Sequence, residues 1–407
     1  MNTTQDAYLR RLVDLCRDGH RGSATAHEKR AAEYLIGELR EMGLSATAEP
    51  FFGCQSAALR YLVHIAVTVA GMAFLWSFPV VACALVALSL ASLLIEQSTR
   101  GVWLSQPLMR SPSQNVATTI PSTSPTAARL IVSAHYDTQR TGRMWKLLKH
   151  FAPLLWHLPA FLQSPLLFLA GIMIAQLTLG AAAFIYGAGP IITAAAAVTL
   201  FPLILFAWLF WESYRSPAVP GAADNASGVA GVLALTEAWL REPIEGIELI
   251  VVLTGCEETG LLGASAWLDR HLDTLKDKPL AFLNLDGIAF GPCRYLVHET
   301  PGCGLPIRFE EPFRAVAEAV TTHHGCVAAR VNALPGPTDG FAFLARGVQG
   351  ITVVGCQDGG ALPHYHTPRD VPENIDGAAA WKNVGIAWDL LGALSRKMNR
   401  SEELLRA

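Results

Sequence analysis

Hydrophobic and polar positions alternate in three textures along this chain. The first is amphipathic and helical. In "TAHEKRAAEYLIGELREMGL", Thr25 to Leu44, residues Ala31, Ala32, Leu35, Ile36 and Leu39 share one face at helical spacing. Thr25 is set to cap the helix, with Glu28 completing a capping box and Gly43 as the stop. Residues 6–45 read as helical. The second texture is short apolar runs: "LIVSAH" from Leu130, "IELIVVLTG" from Ile247, "LAFLNLDGIAF" from Leu280 and "GITVVG" from Gly350. Between them lie helical stretches such as "GVAGVLALTEAWLRE" and "TGLLGASAWLDRHL". Strands alternating with helices predict an α/β fold with a mainly parallel central sheet flanked by helices.

The third texture is uninterrupted apolar chain. From Tyr61 to Ile95, 35 residues, the one ionisable side chain of the charged types or histidine is His64. That length suits two short spans, since one takes about 17–25 residues, with "SFP" (Ser77 to Pro79) as the turn and Arg60 and Glu96 as brackets. From His150 to Trp211, 62 residues carry no Asp, Glu, Lys or Arg. Pro165–Tyr186 and Ile191–Phe210 are each long enough to span, joined by "GAGP". Before them, "TGRMWKLLKHFAPLLWHLPAFLQS" mixes Arg143, Lys146 and Lys149 with Trp145, Phe151 and Trp156, the pattern of an interfacial segment.

This gives an expected organisation: 1–58, the first part of the α/β domain; 59–98, hairpin one; 99–140, the domain continued; 141–164, the interfacial segment; 165–212, hairpin two; 213–407, the remainder. Two inserted transmembrane helical hairpins make an even number of crossings, so all the polar parts share one side. Arg60, Arg100, Arg143, Lys146, Lys149 and Arg215 lie on that side, and the far turns are uncharged. The positive-inside rule then predicts an integral protein of the inner or plasma membrane whose α/β domain faces the cytoplasm.

Composition agrees with the lipid bilayer as a partner. Of 407 residues, 51% are hydrophobic and 16% charged, against about 25% charged in soluble domains. Net charge is −3 and no basic run occurs, which argues against nucleic acid. The 8 cysteines form no C-x-x-C pair, which excludes a zinc ribbon and fits reduced thiols. The polar start, "MNTTQDAYLRRLVDLCRDGHRG", lacks the apolar core of a signal peptide.

Candidate chemistry sits at strand ends: His135 and Asp137 in "AHYDT", Asp224 in "GAADNASG", Glu257 and Glu258 in "GCEETGLLGA", Asp286 in "NLDG", and His366 in "PHYHTPRD". Singly each is weak, since such residues commonly serve turns and helix starts. Together, histidines and carboxylates suit borderline-soft divalent ions such as zinc. In an open parallel sheet, strand carboxyl ends converge on one crevice.

The order H-x-D, D-N-x-S-G, E-E-x-G-L-x-G, N-x-D-G, H-T-P-x-D resembles the co-catalytic dizinc aminopeptidases, zinc exopeptidases of peptidase clan MH. The resemblance covers the N-terminal helix with "GHRGSATAHEKRAAEYL", residues 115–138 and residues 221–390, and leaves out both apolar blocks. It implies two Zn2+, with other divalent ions possible, and a peptide substrate. It implies His135 and Asp286 on the first ion, Glu258 and His366 on the second, Asp224 bridging both, Asp137 orienting His135, and Glu257 as general base. His364 competes with His366 for the ligand role; H-T-P favours His366. It also implies a cis Asp224–Asn225 peptide bond. Cys256, just before the acidic pair, reads as a buried, inert thiol. Asp339 in "PTDGFAF" fits a substrate-amine contact or a turn equally. The expected function is a membrane-bound zinc exopeptidase, an aminopeptidase, acting on peptides that include membrane-associated ones. The alternatives are a glutaminyl-cyclase-like acyl transfer and a catalytically inactive peptidase-like membrane protein.

Overall fold

The apolar runs become neighbouring strands in a computed structural model of the chain, which describes residues 4–148, 164–326, 330–331 and 336–406. Strands β1 (Thr47–Gly53), β2 (Ser111–Ile120), β3 (Ala128–His135), β4 (Ile247–Thr254), β5 (Leu280–Asp286), β6 (Cys293–Leu296), β9 (Arg330–Val331) and β10 (Gln349–Gly355) form one sheet in the order β1-β2-β4-β3-β5-β10-β6-β9. The centre, β4-β3-β5-β10, is parallel throughout. β1, β2 and β6 run antiparallel to their inner neighbours. A two-stranded ribbon, β7 (His298–Glu299) with β8 (Ile307–Arg308), stands apart.

The central strands are buried on both faces, which is why they read as unbroken apolar runs rather than alternations. Leu249, Val251, Val252 and Leu253 of β4 are fully buried, each contributing roughly 1.5–3 kcal/mol. One face carries α1 (Gln5–Cys16), α7 (Ser227–Arg241) and α11 (Gly377–Arg406), numbered in chain order with the helices named below. α2 (Ala26–Glu41) lies against β2, and α8 (Leu262–Leu275) and α10 (Asp339–Ala345) pack on each other. α9 is Glu311–His323. Residues 6–45 form two helices, the second capped by Thr25 as expected. Gly19 (φ +78°) turns the chain, and buried Arg21 fills the gap, donating to the carbonyls of Leu15, Tyr136, Pro220 and Gly221. Polar Asp18, Gly19 and Arg21 gave no apolar face to carry a helix across this joint.

The apolar blocks form four helices: α3 (Ala57–Ala73), α4 (Pro79–Gln97), α5 (Pro165–Tyr186) and α6 (Pro190–Arg215). They pack together as one bundle with its own core, including Ile65, Met72, Val86, Leu93, Met173 and Leu203. Three of them, α4, α5 and α6, are long and apolar enough to cross a membrane; α3, with 17 residues, is shorter. The bundle's outer face stays apolar: Ile191 is 85% exposed, Val198 72% and Phe201 71%. Two of the bundle's interior hydroxyls bond to backbone, Thr68 Oγ1 and Ser89 Oγ both donating to the carbonyl of His64. Most of the expected interfacial segment, with Lys149, Phe151 and Trp156, lies outside the described residues; residues 143–148 are helical.

The brackets of the first apolar block turn out to be partners. Arg60 Nη2 lies 3.0 Å from Glu96 Oε2, and both are buried. Arg60 Nη1 also donates to the carbonyl of Thr259 at 2.5 Å, and Glu96 accepts from the backbone of Trp103 and Ser105. Gly260 (φ +113°) leaves room for this guanidinium; a Cβ there would fall 2.1 Å from Nη1. The base of hairpin one is thus bolted to the loop that follows Glu257 and Glu258.

Candidate metal and active site

Three adjacent parallel strands, β4, β3 and β5, deliver Glu257–Glu258, His135 and Asp286 to one edge of the sheet. Asp224 comes from the turn before α7, where the Asp224–Asn225 peptide bond is cis. His366 comes from the loop after β10. All five candidate ligands and Glu257 converge. His135 Nε2 stands 3.1 Å from Asp224 Oδ1, 3.8 Å from Asp286 Oδ1 and 4.0 Å from Glu257 Oε2. His366 Nε2 stands 2.9 Å from Asp224 Oδ2 and 3.2 Å from Glu258 Oε1. Asp224 therefore turns one oxygen to each imidazole. His364 joins no such group; its carbonyl accepts from Thr367 instead.

The donor set fits divalent cations. Three groups, His135/Asp224/Asp286, Asp224/Glu258/His366 and His135/Glu257/Glu258, each offer ligand atoms within 4.8 Å of one another. Donors about 2.0–2.1 Å from a tetrahedral zinc lie roughly 3.3 Å apart, which the observed spacings bracket. His366 Nε2 and Glu258 Oε1 are buried and near each other, yet neither makes a hydrogen bond. Side chains aimed at a common point rather than at each other behave this way, and an unsatisfied buried polar atom otherwise carries a cost. The electrostatics agree. Burial works against charge on His135, but Glu257, Asp137, Asp224 and Asp286 outweigh it and hold its proton well above the usual range. Burial likewise works against His366, yet Glu258 and Asp224 raise it to about 9. The cluster calls for positive charge, which divalent cations can supply in exchange for those protons.

Asp137 is fully buried behind His135. Its Oδ1 lies 3.6 Å from His135 Nδ1 and accepts from the backbone of Glu257 at 3.0 Å; its Oδ2 accepts from Glu258 N at 3.2 Å and from Ser23 at 2.6 Å. Glu257 makes no side-chain hydrogen bond among those described, so its carboxyl is free to work. Burial pushes its proton affinity up; His135 opposes, and Glu258, Asp286 and Asp339 push further, leaving it well above the carboxylate range.

Several supporting residues escaped the sequence. Glu28 does more than close a helix cap. Its Oε2 accepts from Ala24 N and Ser113, and its Oε1 from the backbone of Cys256 at 3.0 Å. Glu28 and Asp137 thereby hold the successive amides of residues 256, 257 and 258. Asp370, the last residue of "HTPRD", accepts from the backbone of Ala223 and Asp224 at 2.7 and 3.1 Å, and fixes the bridging candidate. Its place in H-T-P-x-D was the available signal. Gln139 Nε2 donates to Glu258 Oε2 at 2.9 Å. Cys256 is wholly buried at φ +52°, its thiol pushed well up by burial. Asp339 starts α10 and accepts from Thr254 Oγ1; it is fully buried, and its Oδ1 has no hydrogen-bond partner. Burial lifts it to about 7, against the pull of His135. All eight cysteines are unpaired.

Comparison with known proteins agrees with this geometry. Residues 210–391 match the model of peptidase family M28. A vacuolar membrane protease of Schizophyllum commune is 30% identical over 199 residues, 46% of this chain and 20% of that protein. Transferrin receptor protein 2 of Mus musculus is 24% identical over 172 residues, 38% of this chain and 21% of that one. The chain thus matches about a fifth of the length of these relatives. Among solved structures, a Zn-dependent exopeptidase from Parabacteroides distasonis superposes with TM-score 0.54 at 12% identity, over 96% of this chain and 97% of that one. A zinc aminopeptidase from Bacillus subtilis gives 0.54 at 12%, over 95% and 94%. A glutaminyl cyclase from Bacteroides thetaiotaomicron gives 0.55 at 12%, over 95% and 97%. At these identities the structural likeness speaks for fold alone. Residues 210–391 thus resemble peptidase family M28, and the chain takes the α/β fold seen in solved zinc exopeptidases.

Proposed function

We propose that this chain is a membrane-embedded dizinc exopeptidase, an aminopeptidase that removes residues from peptide N-termini on the cytoplasmic side of the membrane. His135, Asp286 and Asp224 would hold one ion, and Asp224, Glu258 and His366 the other. Bound zinc supplies Lewis acidity, polarising a carbonyl and acidifying water. The chain's residues do the rest. Glu257 accepts the proton of the attacking water and returns it to the departing amine. Its carboxyl makes no side-chain hydrogen bond among the described residues, which leaves it available for that shuttle. Asp137 keeps the His135 ring and the Glu257–Glu258 backbone in register.

The observation that carries this reading is the pair of ligand groups sharing Asp224, one oxygen toward each histidine. Membrane embedding is supported by the apolar outer faces of α4, α5 and α6. The pairing of α3 with α4 and of α5 with α6 supports a return to the same side after each hairpin. The second hairpin springs from between Asp137 and Asp224, which favours membrane-associated peptides as substrates.

The test is Glu257→Gln. Metal content is expected to stay at the wild-type level while turnover of amino-terminal reporter peptides falls by about 10²–10⁴. Loss of metal with turnover would assign Glu257 as a ligand instead. The glutaminyl cyclase likeness gives a second reading; ammonia release from N-terminal glutamine peptides, without hydrolysis of other reporters, would favour it.

A further inference from the structure

The second hairpin leaves the α/β domain next to one candidate cation group and touches it twice. Its two ends are clamped together: Thr141 N donates to the carbonyl of Pro217 at 3.0 Å, Val219 N to that of Gln139 at 2.9 Å, and Arg140 bridges Ala218. From this clamp Gln139 reaches back to Glu258, donating to both its Oε2 (2.9 Å) and its carbonyl (3.2 Å). On the other side the chain turns into the short helix 143–148, whose first amide, Arg143 N, donates to Glu212 Oε2 at 2.8 Å. Glu212 belongs to α6. This helix carries Trp145, whose indole N–H donates to the carbonyl of Arg140 at 3.1 Å. Its ring meets His366 edge-on, 4.2 Å between centroids at 80°.

That contact matters because of what His366 lacks. A ligating histidine ordinarily donates its second nitrogen to a carboxylate or carbonyl, which fixes the ring. His135 Nδ1 likewise makes no hydrogen bond, but the Asp137 carboxylate stands 3.6 Å from it. His366 Nδ1 is buried and has no hydrogen-bond partner. What holds the ring is aromatic: Tyr365 stacks on it at 3.6 Å and 24°, and Trp145 closes the edge. Offset and edge-to-face contacts of this kind have preferred geometry, so they can orient a ring.

We propose that the root of the second hairpin is a working part of the second cation site. Gln139 and Trp145 act as positioning residues: they hold Glu258 and His366, the two ligands that group does not share, in ligating geometry. Glu212 of α6 anchors the start of the helix that carries Trp145, by accepting from Arg143 N. The insertion thereby sets cation affinity at one of the two positions. This rests on the two-ion reading above.

The test is zinc binding by the purified full-length chain in detergent, measured as ions per chain and by competition with a chromogenic chelator. The variants are W145A, W145F, Q139A and E212A. Wild type is expected to hold two zinc ions. W145A should keep one at wild-type affinity and bind the other on the order of 10–100-fold more weakly. W145F should recover most of that loss, and Q139A and E212A should weaken the same ion alone. Should W145A fail to fold, Q139A and E212A carry the test. Two ions held within about 2-fold of wild type in the folded variants, or equal weakening of both ions, would overturn the inference. A wild-type chain with fewer than two ions would overturn the two-ion reading and this inference with it.

Discussion

Replacing Asp137 with Asn removes a charge and one acceptor while keeping the shape. Asp137 now satisfies three donors, Glu257 N at 3.0 Å, Glu258 N at 3.2 Å and Ser23 Oγ at 2.6 Å, with His135 Nδ1 at 3.6 Å. An asparagine offers one oxygen. If that oxygen keeps Glu257 N, the amide nitrogen faces Glu258 N, donor against donor, while the Ser23 hydroxyl can rotate to accept. One buried N–H then loses its partner, about 1–3 kcal/mol, and the surviving bonds lose their charge assistance, roughly half their strength. The loop carrying Glu257 and Glu258 is displaced, and His135 loses the carboxylate that orients it. Loss of such a partner typically lowers metal affinity or activity about 10–100-fold, roughly 1.4–2.7 kcal/mol. The assay is zinc retention against graded chelator alongside kcat/KM on an amino-terminal leucine reporter. Both should fall within that range, with activity partly recovered in excess zinc. Zinc affinity and kcat/KM both within about 2-fold of wild type would refute the orienting role and leave Asp137 as a buried turn residue.

Two further outcomes follow from buried charge. Arg60→Met strips Glu96 of its buried partner, and should cost about 3–5 kcal/mol of stability in detergent denaturation; R60M/E96Q should recover part of it, and a loss below about 1 kcal/mol for R60M contradicts the pairing. Glu299 is buried against Thr338 and Thr352, and burial lifts its proton affinity from 4.5 to about 8. The folded chain keeps this proton after the unfolded chain has lost it, so stability is fully present below about 4.5 and is lost as pH rises through about 8. Glu299→Gln removes the effect; its thermal midpoint should fall less than that of wild type between pH 5 and pH 9, and parallel curves would contradict this.

Much of the fold could be read from the chain because the runs at Leu130, Ile247, Leu280 and Gly350 are buried on both faces and therefore nearly continuous. β1, β6 and β9 escaped notice: β6 and β9 are only 4 and 2 residues long, and β1, "TAEPFFG", is half exposed with Pro50 inside it. The candidate ligands announce themselves because each follows a strand or lies in a motif with fixed neighbours. Their supports do not. Glu28 sits where a capping box wants an acid, so one local explanation hides its long-range bond to Cys256. Gln139, Trp145 and Arg60 act through contacts dozens to hundreds of positions away, which no local pattern encodes. Arg60, legible only as a bracket of the apolar block, is 2% exposed and pairs with the other bracket, Glu96.

The most direct measurement is an anomalous difference map at the zinc edge from crystals of the intact chain. The account predicts two peaks, one among His135, Asp224 and Asp286 and one among Asp224, Glu258 and His366. A map from zinc-saturated protein with no peak at either position would contradict it.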